Sequence, residues 1–143
     1  EAFPAEDSAL PDTALQGRRI LLAEDNDLNA EIAEELLKEA GLLVERARDG
    51  IECLSMLEKR EPLWYDLILM DIQMPNMDGY KATTIIRHLE DPRLSKIPII
   101  AMTANAFAED KAKAIALGMN AHVAKPFDIR VLKRVMADVL GKQ

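Results

Sequence analysis

Residues 67 to 79 read Leu67-Ile68-Leu69-Met70-Asp71-Ile72-Gln73-Met74-Pro75-Asn76-Met77-Asp78-Gly79. The opening run is continuously apolar and short, as a parallel strand covered on both faces is. It stops at an acid, Asp71, and the proline and glycine beyond it mark a loop. A buried strand that ends in a carboxylate is the unit from which the rest of the chain can be read.

Similar short runs lie on either side: Ile20 to Ala23 and Leu42 to Ala47 before it, Ile97 to Met102 and Ala121 to Ala124 after it. Stretches of helical period separate them, and that alternation predicts five βα units around a parallel sheet. The first, third and fourth runs are the most continuously apolar and are expected at the centre of the sheet. Leu28, Ile32, Leu36 and Ala40 recur at helical spacing, as do Ile51, Leu54 and Leu57, then Ala82, Ile85, Ile86 and Leu89. A fourth helix is expected over about 106 to 117, with Phe107, Ile115 and Leu117. A fifth places Ile129, Leu132, Met136, Val139 and Leu140 on one face. Asp128 is its expected N-cap, with Phe127 stapled to Leu132.

The 143 residues correspond to about one domain. With 49% hydrophobic and 30% charged residues the composition is that of a globular protein. The net charge is -7, but four acids, Glu1, Glu6, Asp7 and Asp12, precede the first base, Arg18. The remainder is only slightly acidic and holds no Lys/Arg cluster, which argues against direct nucleic-acid or anionic-membrane binding. The one cysteine, Cys53, permits no internal disulfide and suits a reducing, cytoplasmic setting. No apolar run approaches the roughly 20 residues of a bilayer span, and no signal or transit peptide is visible. Residues 1 to 17, with Pro4, Pro11 and the four acids, read as an acidic linker or the tail end of a longer polypeptide; residues 18 to 143 read as the domain.

Ligands of open parallel sheets bind outside the carboxyl ends of the strands. The residues there are Glu24 and Asp25, Asp71, Thr103 and Lys125; after the second strand, Arg48-Asp49-Gly50 reads as a turn. Taken singly each is ordinary: a capping acid, a strand threonine, a surface lysine. Together they put three acids, a hydroxyl and an ammonium on one rim. At about 4 Å two carboxylates repel by about 4 kcal/mol at an effective dielectric near 20, so three demand a cation. Hard oxygen donors suit Mg²⁺, which keeps waters and often a phosphate oxygen. A metal, a lysine and a hydroxyl around one carboxylate describe an aspartyl-phosphate site.

In these features the chain resembles a response-regulator receiver domain from about Arg18 to Gly141. The likeness is carried by Ile20-Leu21-Leu22-Ala23-Glu24-Asp25, by Met70 to Gly79, by Ala101-Met102-Thr103 and by Lys125-Pro126. It implies a flavodoxin-like α/β fold, a doubly wound (βα)5 parallel sheet of strand order 2-1-3-4-5. It also implies Asp71 as phosphoacceptor, and Asp25, Asp71 and the Gln73 backbone carbonyl as Mg²⁺ ligands with Glu24 supporting. Thr103 and Lys125 would hold phosphate oxygens, and the Lys125-Pro126 bond would be cis. Asp78 would cap the third helix.

Two departures from the pattern stand out: Glu24 replaces an aspartate, and His122 stands where a switch Tyr or Phe is usual, partnering Thr103. The Met102 to Ala106 stretch and the acidic lead-in resemble receivers fused behind histidine kinases. The implied partner is a histidine kinase dimerisation domain or a histidine-phosphotransfer domain, with a stand-alone response regulator as the alternative. A phosphatase with an aspartate nucleophile would want an acid where Gln73 stands. A dinucleotide binder would want glycines where Glu24-Asp25-Asn26-Asp27 stands.

Overall fold

Five strands, Arg19–Ala23 (β1), Leu43–Ala47 (β2), Leu67–Asp71 (β3), Ile99–Thr103 (β4) and Ala121–Ala124 (β5), form one parallel sheet in the order β2-β1-β3-β4-β5. They come from a computed structural model, which describes residues 15–104, 108–126 and 128–141. The three most apolar runs are the interior strands. β3 and β4 are buried along their whole length, whereas β2, with Glu45 and Arg46, is an edge.

Alternation along the strands sends side chains to two separate cores. On one face Leu21, Ala23, Ile68, Met70, Ile99 and Ala101 meet helices Gly50–Lys59 (α2), Gly79–Arg87 (α3) and Ala108–Ala116 (α4) through Cys53, Leu57, Ala82, Ile86 and Ala114. On the other, Ile20, Leu22, Leu67, Leu69, Ile100 and Met102 meet Asp27–Glu39 (α1) and Ile129–Gly141 (α5) through Ala30, Ala33, Leu37, Leu132, Met136 and Val139. The methionines divide unevenly. Met56, Met70, Met74, Met77 and Met119 belong to the α2/α3/α4 side, and Met102 and Met136 to the other.

The inner face of α1 is not the expected one. The helix buries Ala30, Ala33 and Leu37, while Leu28 is 64% and Ile32 52% exposed. The small alanines let the helix lie close to the sheet, which turns the larger Leu28/Ile32 row outward. Ile51 of α2 and Ile115 of α4 are likewise exposed, with Cys53 and Ala114 buried instead. A one-turn helix, Pro92–Ser95, was not foreseen; Asp91 caps it by accepting the Arg93 N–H at 2.9 Å. Phe107 and the Phe127 staple lie outside the described residues. Asp128 does accept the Arg130 N–H at 2.8 Å at the start of α5.

The packed chain begins earlier than Arg18. Leu15 is 2% exposed in the α1/α5 core, and the Gly17 N–H donates to the Gly41 carbonyl at 2.8 Å. At the amino-terminal edge of the sheet, Arg87 donates to the carbonyls of Gly118, Ser95 and Ile97 and to Asn120 Oδ1, over 2.7 to 3.0 Å. Burial pulls its basicity down, but the four acceptors satisfy the guanidinium without an acid.

Candidate functional site

The carboxyl ends of β1, β3, β4 and β5 converge on one cleft. Its inner part, about 110 Å³, is lined by Glu24, Asp25, Asn26, Asn29, Asp71, Gln73, Thr103 and Lys125 among others. Glu24 follows directly on β1, and its N–H donates to the Ala47 carbonyl at 3.0 Å. The Asn26 N–H donates to Glu24 Oε2 at 3.1 Å, and Asn26 Oδ1 caps α1 by accepting the Asn29 N–H at 2.9 Å. Asp71 and Thr103 are the last residues of β3 and β4, at 3% and 6% exposure.

Lys125, just past β5, ties the rim together. Its Nζ lies 3.0 Å from Glu24 Oε1 and 3.0 Å from Asp71 Oδ2. Asp25 is exposed at the mouth, and one oxygen from each of Glu24, Asp25 and Asp71 lies within 4.8 Å of the others. One ammonium thus faces three carboxylates. Burial pushes the Asp71 carboxyl up to about 6, and the Glu24 charge adds to that; the hydrogen bond from Lys125 works in the opposite direction. Burial also works against the Lys125 charge, but its bonds to Asp71 and Glu24 outweigh it and hold the ammonium above its ordinary range. The donors are all hard oxygens, so the group can hold a divalent metal ion.

The loop after β3 is fixed at both ends. Asp78 caps α3 by accepting the Lys81 N–H at 2.8 Å, and the Gly79 N–H donates to the Ile72 carbonyl at 2.9 Å. A Cβ at Gly79 would run into the Asp71 carbonyl, so only glycine fits. In the middle, Asn76 has a φ of 67° and donates from Nδ2 to Asp49 Oδ2 at 2.7 Å. The Gly50 N–H also donates to the Met77 carbonyl at 3.0 Å. Arg48-Asp49-Gly50, expected as a turn, therefore clamps this loop, and Asp49 also caps α2 by accepting the Glu52 N–H at 2.8 Å. For the cap alone the sequence carries a signal, the acid Glu52 three residues after Asp49, a capping-box spacing.

Gln73 lies at the cleft, and its N–H donates to Asp71 Oδ1 at 3.3 Å. The Lys125-Pro126 bond is cis. His122 sits opposite Ala101 in the β4–β5 register, on the same face of the sheet as Thr103. Its Nε2 is buried and has no hydrogen-bond partner among the described residues. No helix among the described residues is long and apolar enough to cross a membrane.

Residues 20–137 match the response regulator receiver domain family. The chain is 44% identical, over 76% of its length, to hybrid signal transduction histidine kinase B of Dictyostelium discoideum, of which it spans 6%. It is 34% identical, over 94% of its length, to the sensor histidine kinase RcsC of Escherichia coli, spanning 13% of that protein. The chain thus corresponds to a small part of each of these relatives. Among solved structures, the receiver domain of the sensor histidine kinase PA1611 of Pseudomonas aeruginosa, with magnesium coordinated in its active-site cleft, matches at 41% identity and a TM-score of 0.77. That match covers 87% of this chain and 98% of the other. The receiver of Ssk1 from Saccharomyces cerevisiae, solved with the histidine phosphotransfer protein Ypd1, matches at 26% identity and a TM-score of 0.79, covering 90% and 92%. With its sheet order, its acidic cleft and these relatives in agreement, the chain belongs to the response-regulator receiver domains, the phosphorelay modules of hybrid histidine kinases and response regulators.

Proposed function

We propose that this domain accepts a phosphoryl group from a phosphohistidine onto Asp71 in a Mg²⁺-dependent reaction and then relays it or signals through it. The observation that carries this reading is Lys125, 3.0 Å from both Glu24 and Asp71, with Asp25 completing the group. A carboxylate oxygen of Asp71 attacks phosphorus, the P–N bond breaks, and the donor imidazole departs with the electron pair. The group arriving on Asp71 carries roughly -1.5 to -2 charge, which the Lys125 ammonium, 3.0 Å from Asp71 Oδ2, and the Thr103 hydroxyl, on the lining of the same cleft, share. Asp25, Asp71 and the Gln73 carbonyl, with Glu24 in support, would hold a Mg²⁺ ion, which would supply further positive charge at the transferred group.

The donor is a domain that presents a phosphohistidine, as a histidine kinase dimerisation domain or a phosphotransfer protein does. Leu28 and Ile32, exposed and one helical turn apart on α1 just beyond Asp25, supply an apolar patch for it beside the cleft. Relatives that are hybrid or sensor histidine kinases support a place in such a kinase, and the proposed setting is the cytoplasm. Inward movement of Thr103 on phosphorylation is the first step of the switch, and His122, on the same face of the next strand, responds to it. Incubation with a small phosphodonor and Mg²⁺, read by mass spectrometry, tests the assignment. One phosphoryl is gained by the native chain and none by Asp71→Asn; undiminished uptake by Asp71→Asn would refute it.

A further inference from the structure

The edge strand grips the acidic loop through a residue that the phosphoryl chemistry leaves unused. We propose that Arg46 is a positioning residue for metal binding, holding Glu24 and Asp25 in the arrangement a divalent cation requires. The inference rests on the metal-binding reading given above.

The β1–β2 ladder pairs Ala23 with Ala47 and goes no further. Glu24 lies one residue beyond. Its N–H still reaches the Ala47 carbonyl, but its own carbonyl has passed the last backbone donor of β2. Arg46 takes over there: Nε donates to the Glu24 carbonyl at 3.0 Å, and Nη1 donates to Asp27 Oδ1 at 2.8 Å. A guanidinium presents its donors as a rigid planar fork, so these two bonds fix the span of the loop on either side of Asp25.

The ends of the fork are unequal. The Arg46 side chain is 14% exposed and that of Asp27 84%, so solvent screens the carboxylate end and the carbonyl end carries most of the grip. The third nitrogen, Nη2, is buried without a hydrogen-bond partner among the described residues. Burying a donor unpaired costs stability and offsets part of what the other two bonds contribute.

A rival account is electrostatic: a cation behind the acids merely softens their repulsion. The two accounts predict opposite signs. Loss of positioning weakens metal binding, whereas loss of a nearby positive charge strengthens it. Mn²⁺ titrated into the full chain, with free Mn²⁺ read by electron paramagnetic resonance, separates them. Arg46→Lys keeps the charge but cannot make both bonds, and its Mn²⁺ affinity is expected to fall about 10-fold, as for other residues that orient metal ligands. Arg46→Met is expected to bind more weakly as well. An Arg46→Lys affinity equal to that of the native chain, or tighter binding by Arg46→Met, would overturn the proposal. Native chain that binds no Mn²⁺ would overturn the metal site itself and the proposal with it. Circular dichroism in chelator establishes that each variant is folded, and should Arg46→Met fail to fold, Arg46→Lys alone decides.

Discussion

At Asp71 burial and function pull against each other. Burial pushes its carboxyl up to about 6, above the ordinary carboxylate value of 3.8, so the folded state holds the proton more tightly than the unfolded chain does. The contribution of this group is therefore most favourable below about pH 4 and is lost as pH rises through about 6. In metal-free buffer Asp71→Asn should be more stable than the native chain by on the order of 2 kcal/mol above about pH 7, with the gap closing toward pH 4. Urea midpoints at the two ends of this range check it. Gly79 is the neighbouring constraint: Gly79→Ala, which drives a methyl into the Asp71 carbonyl, should cost about 1 to 3 kcal/mol and move the Asp71 amide resonance. Single residues were legible in the sequence where the strand pattern placed them. Glu24, Asp71, Thr103 and Lys125 follow from strand ends alone. The Arg46–Asp27 and Asp49–Asn76 contacts were not legible, because only the tertiary placement of segments distant in sequence decides that those side chains meet.

The same distinction holds for whole elements. Strand centrality followed from continuous apolar runs, and the burial of β3 and β4 agrees with it. Helix α1 defeated the reading because two apolar rows compete on it, and the sheet accepted the row with the smaller residues for close approach. Leu15 was missed for a related reason: the apolar residues of the lead-in, Phe3, Leu10 and Leu15 among them, follow no helical or strand period, yet Leu15 is buried in the core shared by α1 and α5. A chain starting at Arg18 should lose on the order of 3 kcal/mol against one starting at Ala14, by analogy with deletion of other buried leucines. Denaturant unfolding of the two chains measures the difference, and equal midpoints would show Leu15 to be dispensable.

For the molecule as a whole, three acids and one ammonium in one cleft leave excess negative charge that a metal relieves. Mg²⁺ should raise the melting temperature by mass action, and Asp25→Ala should abolish that rise. The cleft and the α1 patch are separable in the same way. Leu28→Asp with Ile32→Asp should slow phosphoryl transfer from a phosphorylated histidine-phosphotransfer protein about 10-fold or more, in keeping with the loss of an interface anchor. Labelling by a small phosphodonor should be unchanged, and quench-flow with each donor separates the two. The uneven division of methionines bears on how such a domain can move. Unbranched thioether chains change shape at nearly constant volume, whereas leucine and isoleucine hold defined rotamers. The layer under α2, α3 and the loop after Asp71 is thus the compliant one, and the layer under α1 and α5 is stiff. On the proposed reading, rearrangement after phosphoryl transfer falls to the layer that can change shape, and α1, with its Leu28 and Ile32, is seated on the other.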